Sequence, residues 1–223
     1  MNKLPYYKNI HKDKDIYILA SGKSVDFIDN SFFNNKIIIG VNQAFKKINC
    51  TYLLRKEGQL LEEIINKNKN TIHFVSNGSG GGNNNLNYNY IKNNNIKNVI
   101  VYQHNINNCN VPDKLPDDDK LLVSYSTITT AIHLAAYMGA KNIILIGHDC
   151  GTLNGEPNFK DYHTDKTYKI VWKNGKKDYI NWLSKIENQT IKVKKLLKEK
   201  YKCNIYSLNP FINFNLEGNI YKK

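Results

Sequence analysis

Arginine is almost absent from this chain, although the chain is strongly basic. Of 223 residues, 32 are Lys or Arg and 19 are Asp or Glu, giving a formal net charge of +13, yet Arg55 is the sole arginine. A positive excess indicates an anionic partner, such as a nucleotide, a phosphorylated metabolite, a nucleic acid or a membrane surface. Scattered lysines also fit a solvated, non-specific charge excess. Modules that read base sequence rely on bidentate Arg contacts, so the shortage of Arg weakens nucleic acid as a partner.

Paired cysteines and long apolar runs are missing as well. The four cysteines are Cys50, Cys109, Cys150 and Cys203. Their wide spacing, without any CxxC pair, excludes a zinc ribbon and a compact disulfide framework, and without a signal peptide it favours reduced thiols in a cytoplasmic protein. No apolar run approaches the roughly 20 residues of a membrane span, so we expect no transmembrane segment. The length suits a single α/β domain over residues 1–223.

The most informative stretch runs from residue 123 to residue 150. Ser and Thr residues between Ser124 and Thr130 can cap a helix over 131–138, and Gly139 supplies its stop. Residues 143–146 are continuously apolar, as expected of a parallel strand that is covered on both faces. Gly147, His148 and Asp149 follow at the carboxyl end of that strand, which is where open parallel sheets bind their ligands.

The same strand-then-polar pattern recurs along the chain. Further strands are predicted at 16–20, 37–41, 51–54, 71–75, 99–102 and 204–210, with helices at 25–29, 62–66 and 178–201. This alternation predicts a doubly wound, mostly parallel sheet with helices on both faces. A Gly/Asn-rich insertion at 76–95 interrupts it and predicts a flexible loop, either a lid or a disordered segment.

Polar groups that end the first two strands suggest nucleotide chemistry. The turn Ser21-Gly22-Lys23-Ser24 can offer backbone N–H groups to a phosphate, although the full phosphate-loop pattern is missing and a plain capped turn stays open. Asn42 and Gln43 can pair with a base or ribose edge, because an amide both donates and accepts; an ordinary Asn turn is the alternative. The long loop 151–177 is suited to cover such a site.

Four short motifs resemble two related protein groups. They are residues 18–29, 41–43, 139–149 and 205–210, in this order. The pattern is similar to that of the bacterial sialyltransferases that use CMP-sialic acid. It also resembles the broader MptE-like family, named for 6-hydroxymethylpterin diphosphokinase. The resemblance covers most of the chain and implies a Rossmann-like nucleotide-binding sheet.

The resemblance also implies site residues. Those it places at the nucleotide are Ser21, Gly22, Lys23, Ser24, Asn42, Gln43, Ser126, Thr127 and Gly147. Ser207 and Asn209, at the end of the last predicted strand, are further candidates for binding the nucleotide. The sialyltransferases carry a His general base before the last helix, where counting back puts Lys185, and a protonated lysine is a poor base. His163 and His148 are candidate replacements, with a simple loop hydrogen bond as the alternative for each. Asp149, from the Gly-x-Asp motif, is the third catalytic candidate.

Three functions remain in order of preference. The first is a nucleotide-dependent transferase, in particular a glycosyltransferase that moves a sugar from a CMP-sugar or other nucleotide sugar to an acceptor. The second is diphosphate transfer from ATP to a small alcohol, which needs Mg²⁺ held by Asp149 and by Asp161 or Asp165. The third is a non-catalytic nucleotide- or nucleic-acid-binding protein.

Overall fold

A nine-stranded, all-parallel sheet forms the centre of the described part of the molecule. The computed structural model describes residues 3–56, 61–77, 91, 93–104, 110–117, 120–163, 174–209 and 218–219. The strands are β1 (Asp15–Leu19), β2 (Ile37–Val41), β3 (Tyr52–Arg55), β4 (Ile72–Ser76), β5 (Val99–His104), β6 (Lys120–Leu121), β7 (Asn142–Ile146), β8 (Asn204–Ser207) and β9 (Gly218–Asn219). Their order in the sheet is β6-β5-β4-β3-β2-β1-β7-β8-β9.

β1 lies in the interior of the sheet, between β2 and β7. Tyr17 is in register with Ile38 on one side and with Ile144 on the other. Unbroken apolar sequences are what a parallel strand needs when both of its faces are buried, and residues 143–146 of β7 are at most 2% exposed. The prediction of a doubly wound parallel sheet is therefore confirmed, and the fold is Rossmann-like α/β.

Helices cover both faces of this sheet, as the sequence predicts. The α-helices are α1 (Leu61–Lys67), α2 (Thr127–Tyr137) and α3 (Lys176–Tyr201). α2 and α3 pack on one face through Ile132, Leu183 and Leu197. The opposite face is covered by α1 and by 3₁₀ helices at Lys23–Phe27, Asn30–Phe33 and Ala44–Lys46.

The helix predicted at 131–138 begins four residues earlier. Ser126 is its N-cap and accepts a hydrogen bond from the backbone N–H of Ile128 (3.3 Å). The Thr129 hydroxyl bonds back to the carbonyl oxygens of Ser124 (2.8 Å) and Ser126 (2.7 Å). Because these side chains satisfy polar groups locally, the Ser/Thr run forms both the cap and the first turn. Gly139 ends the helix with a φ of +89°, which favours glycine.

Some predicted features differ or fall outside the described residues. The predicted first helix is the 3₁₀ helix Lys23–Phe27, and the two-residue strands β6 and β9 are too short to show a sequence pattern. Residues 78–90 and 92 of the Gly/Asn-rich insertion lie outside the described residues, so the flexible loop stays a prediction. The single domain over residues 1–223 stays a prediction as well. In the described ranges no helix combines the length and apolarity needed to cross a membrane.

Candidate functional site

The strand order reverses at β1, which makes the carboxyl ends of β1 and β7 the topological switch point. Connections from neighbouring strands leave in opposite directions there and open a crevice outside the sheet. The segments after β1, β2, β7 and β8 all end at this edge, because the strands are parallel. These segments contain most of the site residues predicted from the sequence.

Asp149 joins three of these segments. Its Oδ2 accepts from the backbone N–H of Ser24 (2.8 Å), and its Oδ1 accepts from the Ser24 hydroxyl (2.6 Å). Oδ1 also accepts from Nδ2 of Asn209 (2.6 Å), which follows β8. Hydrogen bonds to an ionised carboxylate are among the stronger ones in proteins. Asp149 thus ties the β7 end to the turn after β1 and to the segment after β8.

Two glycines allow these segments to approach each other. The backbone N–H of Gly22 donates to the Gly147 carbonyl at 2.6 Å. A Cβ at Gly22 would lie 2.5 Å from that oxygen and would also overlap the Asp149 carboxyl group. Gly147 has a φ of +68°, and a Cβ there would overlap Val25. Glycine is therefore required at both positions by close backbone approach.

Lys23 places a cation at the rim of the turn. Its Nζ lies 2.8 Å from Oδ2 of Asp26, and its side chain is 26% exposed. Asp26 also accepts from the backbone N–H of Lys160 (3.0 Å to Oδ2), which fastens the loop after β7 to this turn. The positive charge expected from the Gly-Lys-Ser sequence is present at the rim, although the Asp26 carboxylate partly neutralises it.

Ser21 contacts a tyrosine from α3. Its hydroxyl is 2.8 Å from the Tyr179 hydroxyl, which also accepts from Nδ2 of Asn158 (3.2 Å). Burial raises the pKa of Tyr179, while the hydrogen bonds from Ser21 and Asn158 act in the opposite direction. Tyr179 therefore carries a neutral hydroxyl at neutral pH and links the first turn of α3 to the turn after β1.

The end of β2 carries an acceptor atom that no protein group satisfies among the described residues. Asn42 has a φ of +53°, in the left-handed region, and its Oδ1 is buried without a hydrogen-bond partner. Leaving a buried acceptor unsatisfied costs about 1–3 kcal/mol. Gln43 beside it is 5% exposed. A ligand that donates a hydrogen bond here would satisfy Asn42.

His163 stands beside the tyrosines of the site. Its ring packs edge-on against Tyr162 (centroids 4.5 Å apart) and Tyr179 (5.4 Å). Burial lowers the pKa of His163 to about 4, with a further contribution from the Lys46 ammonium group. Lys46 Nζ donates to the carbonyl oxygens of Asp161 and Tyr162, both at 3.1 Å. His163 is therefore a neutral imidazole at neutral pH.

His148 lies in the interior, between β7 and α3. Its Nε2 is 2.7 Å from Oγ1 of Thr190, whose hydroxyl donates to the Ile186 carbonyl at 3.2 Å. Because the Thr190 hydroxyl proton is used in that bond, the Thr190 oxygen accepts from His148, and Nε2 of His148 carries the proton that it donates. Burial lowers the pKa of His148 to about 4, so the ring is neutral. Its contacts link the strand end to the last helix.

The remaining predicted residues have separate positions. Ser126 and Thr127 form the start of α2, whose N-terminus carries a partial positive charge at the same edge of the sheet. The Ser207 hydroxyl accepts from the backbone N–H of Asn209 (3.1 Å). Lys185 is exposed on α3.

The residues present do not fit a magnesium site at Asp149. Three protein donors already point at its two carboxylate oxygens, which leaves about one of their lone-pair positions for a cation. Asp161 is exposed, and Asp165 lies outside the described residues. Over the part of the chain that the structure describes, no group of three or more His, Cys, Asp or Glu side chains could hold a metal ion.

Sequence reasoning missed several residues that shape this site. Asn158, Lys46 and Thr190 each contact a predicted residue or its neighbour. None of them belongs to a motif or to the end of a strand, so the sequence carries no local signal for them. Their roles depend on the packing of the loop after β7 and of α3 against the sheet.

Solved sialyltransferases share this fold at low sequence identity. CstII from Campylobacter jejuni with cytidine-5'-monophosphate is 15% identical with a TM-score of 0.51, over 90% of this chain and 82% of that one. CstII with CMP-3FNeuAc is 17% identical with a TM-score of 0.54, over 89% and 82%.

Cst-I, a monofunctional alpha-2,3-sialyltransferase from Campylobacter jejuni, is 17% identical with a TM-score of 0.55, over 95% of this chain and 82% of that one. No family model and no curated protein matches the chain, so the MptE-like resemblance is not confirmed. At these identities, the likeness shows that the chain shares the fold of these sialyltransferases over most of its length.

Proposed function

We propose that this protein is a nucleotide-dependent glycosyltransferase, which moves a sugar from a nucleotide-activated donor to an acceptor hydroxyl. The observation that carries the proposal is the buried, unsatisfied Oδ1 of Asn42 at the switch-point edge, beside the clustered ends of β1, β7 and β8. The fold likeness supports it, because the CstII structures contain CMP and a CMP-sugar analogue. CMP is accordingly the first nucleotide to test.

The nucleoside and the phosphate would contact different parts of this edge. Asn42 and Gln43 would receive hydrogen bonds from the base or ribose, because their amide oxygens accept. Lys23, Ser21 and the N-terminus of α2 at Ser126 would face the phosphate, where cations, hydroxyls and backbone N–H groups stabilise negative charge. Asp149 would position the turn after β1 and Asn209 rather than contact the ligand.

The transfer itself needs a base and a stabilised leaving group. The neutral His163 imidazole would take the proton of the acceptor hydroxyl, whose oxygen then bonds to the anomeric carbon of the donor sugar. The bond from that carbon to the phosphate oxygen breaks with its electron pair, and the nucleotide leaves. Lys23 would stabilise the charge that develops on the departing phosphate. No step requires a metal ion.

Titration calorimetry with CMP, UDP, GDP and ATP tests the binding part. We expect CMP to bind, and we expect Asn42→Gly to weaken its binding about tenfold, as loss of one buried hydrogen bond implies. Glycine retains the backbone conformation at φ +53°, so the side chain alone is removed.

Asn35→Gly is the matched control. Asn35 has a φ of +59° and is exposed, so its replacement makes the same chemical change at a backbone of the same conformation. We expect it to leave CMP affinity unchanged. If the folded wild-type protein binds none of the four nucleotides, the proposed function is wrong.

A further inference from the structure

Two large apolar side chains are exposed on the segment 3–14, which precedes β1. Tyr6 is 76% exposed and Ile10 is 50% exposed. The same segment carries the four lysines Lys3, Lys8, Lys12 and Lys14 against the single carboxylate Asp13. Apolar side chains interspersed with lysines are typical of surfaces that contact a charged lipid interface.

This segment is held firmly against the body of the protein. Leu4 and Tyr7 are 2% and 4% exposed, and the Tyr7 ring packs edge-on against Phe74 at 5.0 Å. Three backbone N–H groups donate to the end of α2: Asn9 to Tyr137 (3.0 Å), His11 to Met138 (2.8 Å) and Asp13 to Gly139 (2.9 Å). The side chains of Tyr6 and Ile10 are therefore exposed to solvent, although the backbone that carries them is held in place.

More lysines continue this surface along the amino-terminal edge of the sheet. The backbone N–H of Lys141 donates to the Lys14 carbonyl (2.9 Å), and that of Asn204 donates to the Lys141 carbonyl (3.0 Å). Lys202 is the C-cap of α3, two residues before β8 begins. Lys14, Lys141 and Lys202 are all exposed. This edge is opposite to the carboxyl edge that carries the candidate site.

We propose that the segment 3–14 docks on the surface of an anionic lipid bilayer. Tyr6 and Ile10 enter the interface, while Lys3, Lys12 and Lys14 contact the anionic headgroups. An apolar Ile side chain gains nothing from a nucleic-acid backbone, and the chain's sole arginine, Arg55, is 4% exposed. Lipid is therefore the favoured anionic partner, and docking at this edge leaves the candidate site open to solution.

Vesicle cosedimentation tests this docking. We expect the protein to bind vesicles of phosphatidylcholine mixed with phosphatidylglycerol, more tightly at low salt, and to bind vesicles of phosphatidylcholine alone much less. Tyr6→Ser with Ile10→Ser should weaken binding about tenfold, since the inserted side chains are lost. Phe27→Ser is the matched control, because Phe27 is 64% exposed outside the segment. It should bind as the wild type does.

A second pair of variants separates this surface from the overall charge. Lys3→Gln with Lys12→Gln should weaken binding about 30-fold, because each of these lysines is attracted to the anionic headgroups. Lys192→Gln with Lys195→Gln removes the same charge from exposed positions on α3 and should have little effect. All four lysines are exposed, so both double variants should keep the unfolding temperature of the wild type.

Several results would overturn the proposal. Equal binding to neutral and anionic vesicles, equal losses in the two lysine pairs, or retention on DNA without vesicle binding would each contradict it. A wild-type dimer that the Tyr6/Ile10 variant converts to a monomer would assign the surface to a second copy of the chain. CMP calorimetry on the same samples is independent of all these outcomes, so this docking and the nucleotide site fail or succeed separately.

Discussion

Ser24 and Asp149 lie 125 positions apart and are joined by two hydrogen bonds, from the Ser24 N–H (2.8 Å) and the Ser24 hydroxyl (2.6 Å) to the two carboxylate oxygens. The pair connects the turn after β1 to the segment after β7, on the two sides of the switch point. Asn209 adds a third donor from the segment after β8. One carboxylate thus sets the spacing of three walls of the candidate site.

Asp149→Asn is expected to loosen this junction. The amide is nearly isosteric, but its NH₂ group must face at least one of the donors that now point at the carboxylate. Two opposed donors leave a partly buried polar group unsatisfied, so we expect a loss of about 1–3 kcal/mol in the free energy of unfolding. Urea denaturation measures this loss. Asp161→Asn, at an exposed position, should change stability by less than about 0.5 kcal/mol.

If Asp149 sets the spacing of the site, nucleotide affinity should fall together with stability. CMP calorimetry on Asp149→Asn, at a temperature where the variant is fully folded, reports this directly. Unchanged stability and unchanged affinity would show that the junction is not required.

Gly22→Ala should be more disruptive than its size suggests. The added Cβ would lie 2.5 Å from the Gly147 carbonyl oxygen and would overlap the Asp149 carboxyl group, so backbone must move. Overpacking of this kind costs about 1–3 kcal/mol. Gly151→Ala is the matched control, because the nearest atom to its Cβ is 3.8 Å away. Thermal unfolding of both variants should separate them clearly; similar melting temperatures would refute the close approach.

The strands that the sequence predicted best are those buried on both faces. The strand predicted at 37–41 is β2 (Ile37–Val41), and the prediction at 143–146 differs from β7 by one residue. Such strands need apolar residues throughout, which leaves a strong local signal. α2 begins four residues before the predicted helix, because Thr129 favours non-helical backbone by propensity but bonds back to Ser124 and Ser126 in the folded chain.

The candidate site was only partly accessible from sequence. Parallel strands end at one edge, so the positions of Asn42 and Asp149 at that edge followed from the strand predictions. The contact between Ser24 and Asp149 did not, because it depends on how closely two glycine turns approach. The interior position of His148 also depends on a tertiary contact, its hydrogen bond to Thr190 on α3.

His148 should make the stability of the protein depend on pH. Its pKa is lowered from 6.5 to about 4 by burial, so between these values the unfolded chain binds a proton that the folded chain does not. The contribution of His148 to the free energy of unfolding is therefore fully present above about pH 6.5 and is lost as the pH drops toward 4. At 1.36 kcal/mol for each pKa unit, the loss from this group is at most about 3.4 kcal/mol.

Urea denaturation at pH 7 and pH 5 tests this dependence. The difference in unfolding free energy between the two pH values should be about 2 kcal/mol smaller in His148→Gln than in the wild type. Lys185→Gln, an exposed change on α3, should retain the wild-type difference. An equal pH dependence in His148→Gln and the wild type would assign the effect to other groups.

His163 as the general base gives a kinetic prediction with a defined sign. The base must be neutral, so the rate of CMP release from a CMP-sugar should fall on the acid side near the pKa of His163, about 4. His163→Asn should lower the turnover rate about 100-fold or more while CMP affinity is kept. Lys46→Met removes a cation that lowers this pKa, so the acid limb should move to higher pH. His148→Gln should leave the acid limb of the pH–rate profile unchanged. If that limb shifts in His148→Gln and not in Lys46→Met, the general base is His148 rather than His163.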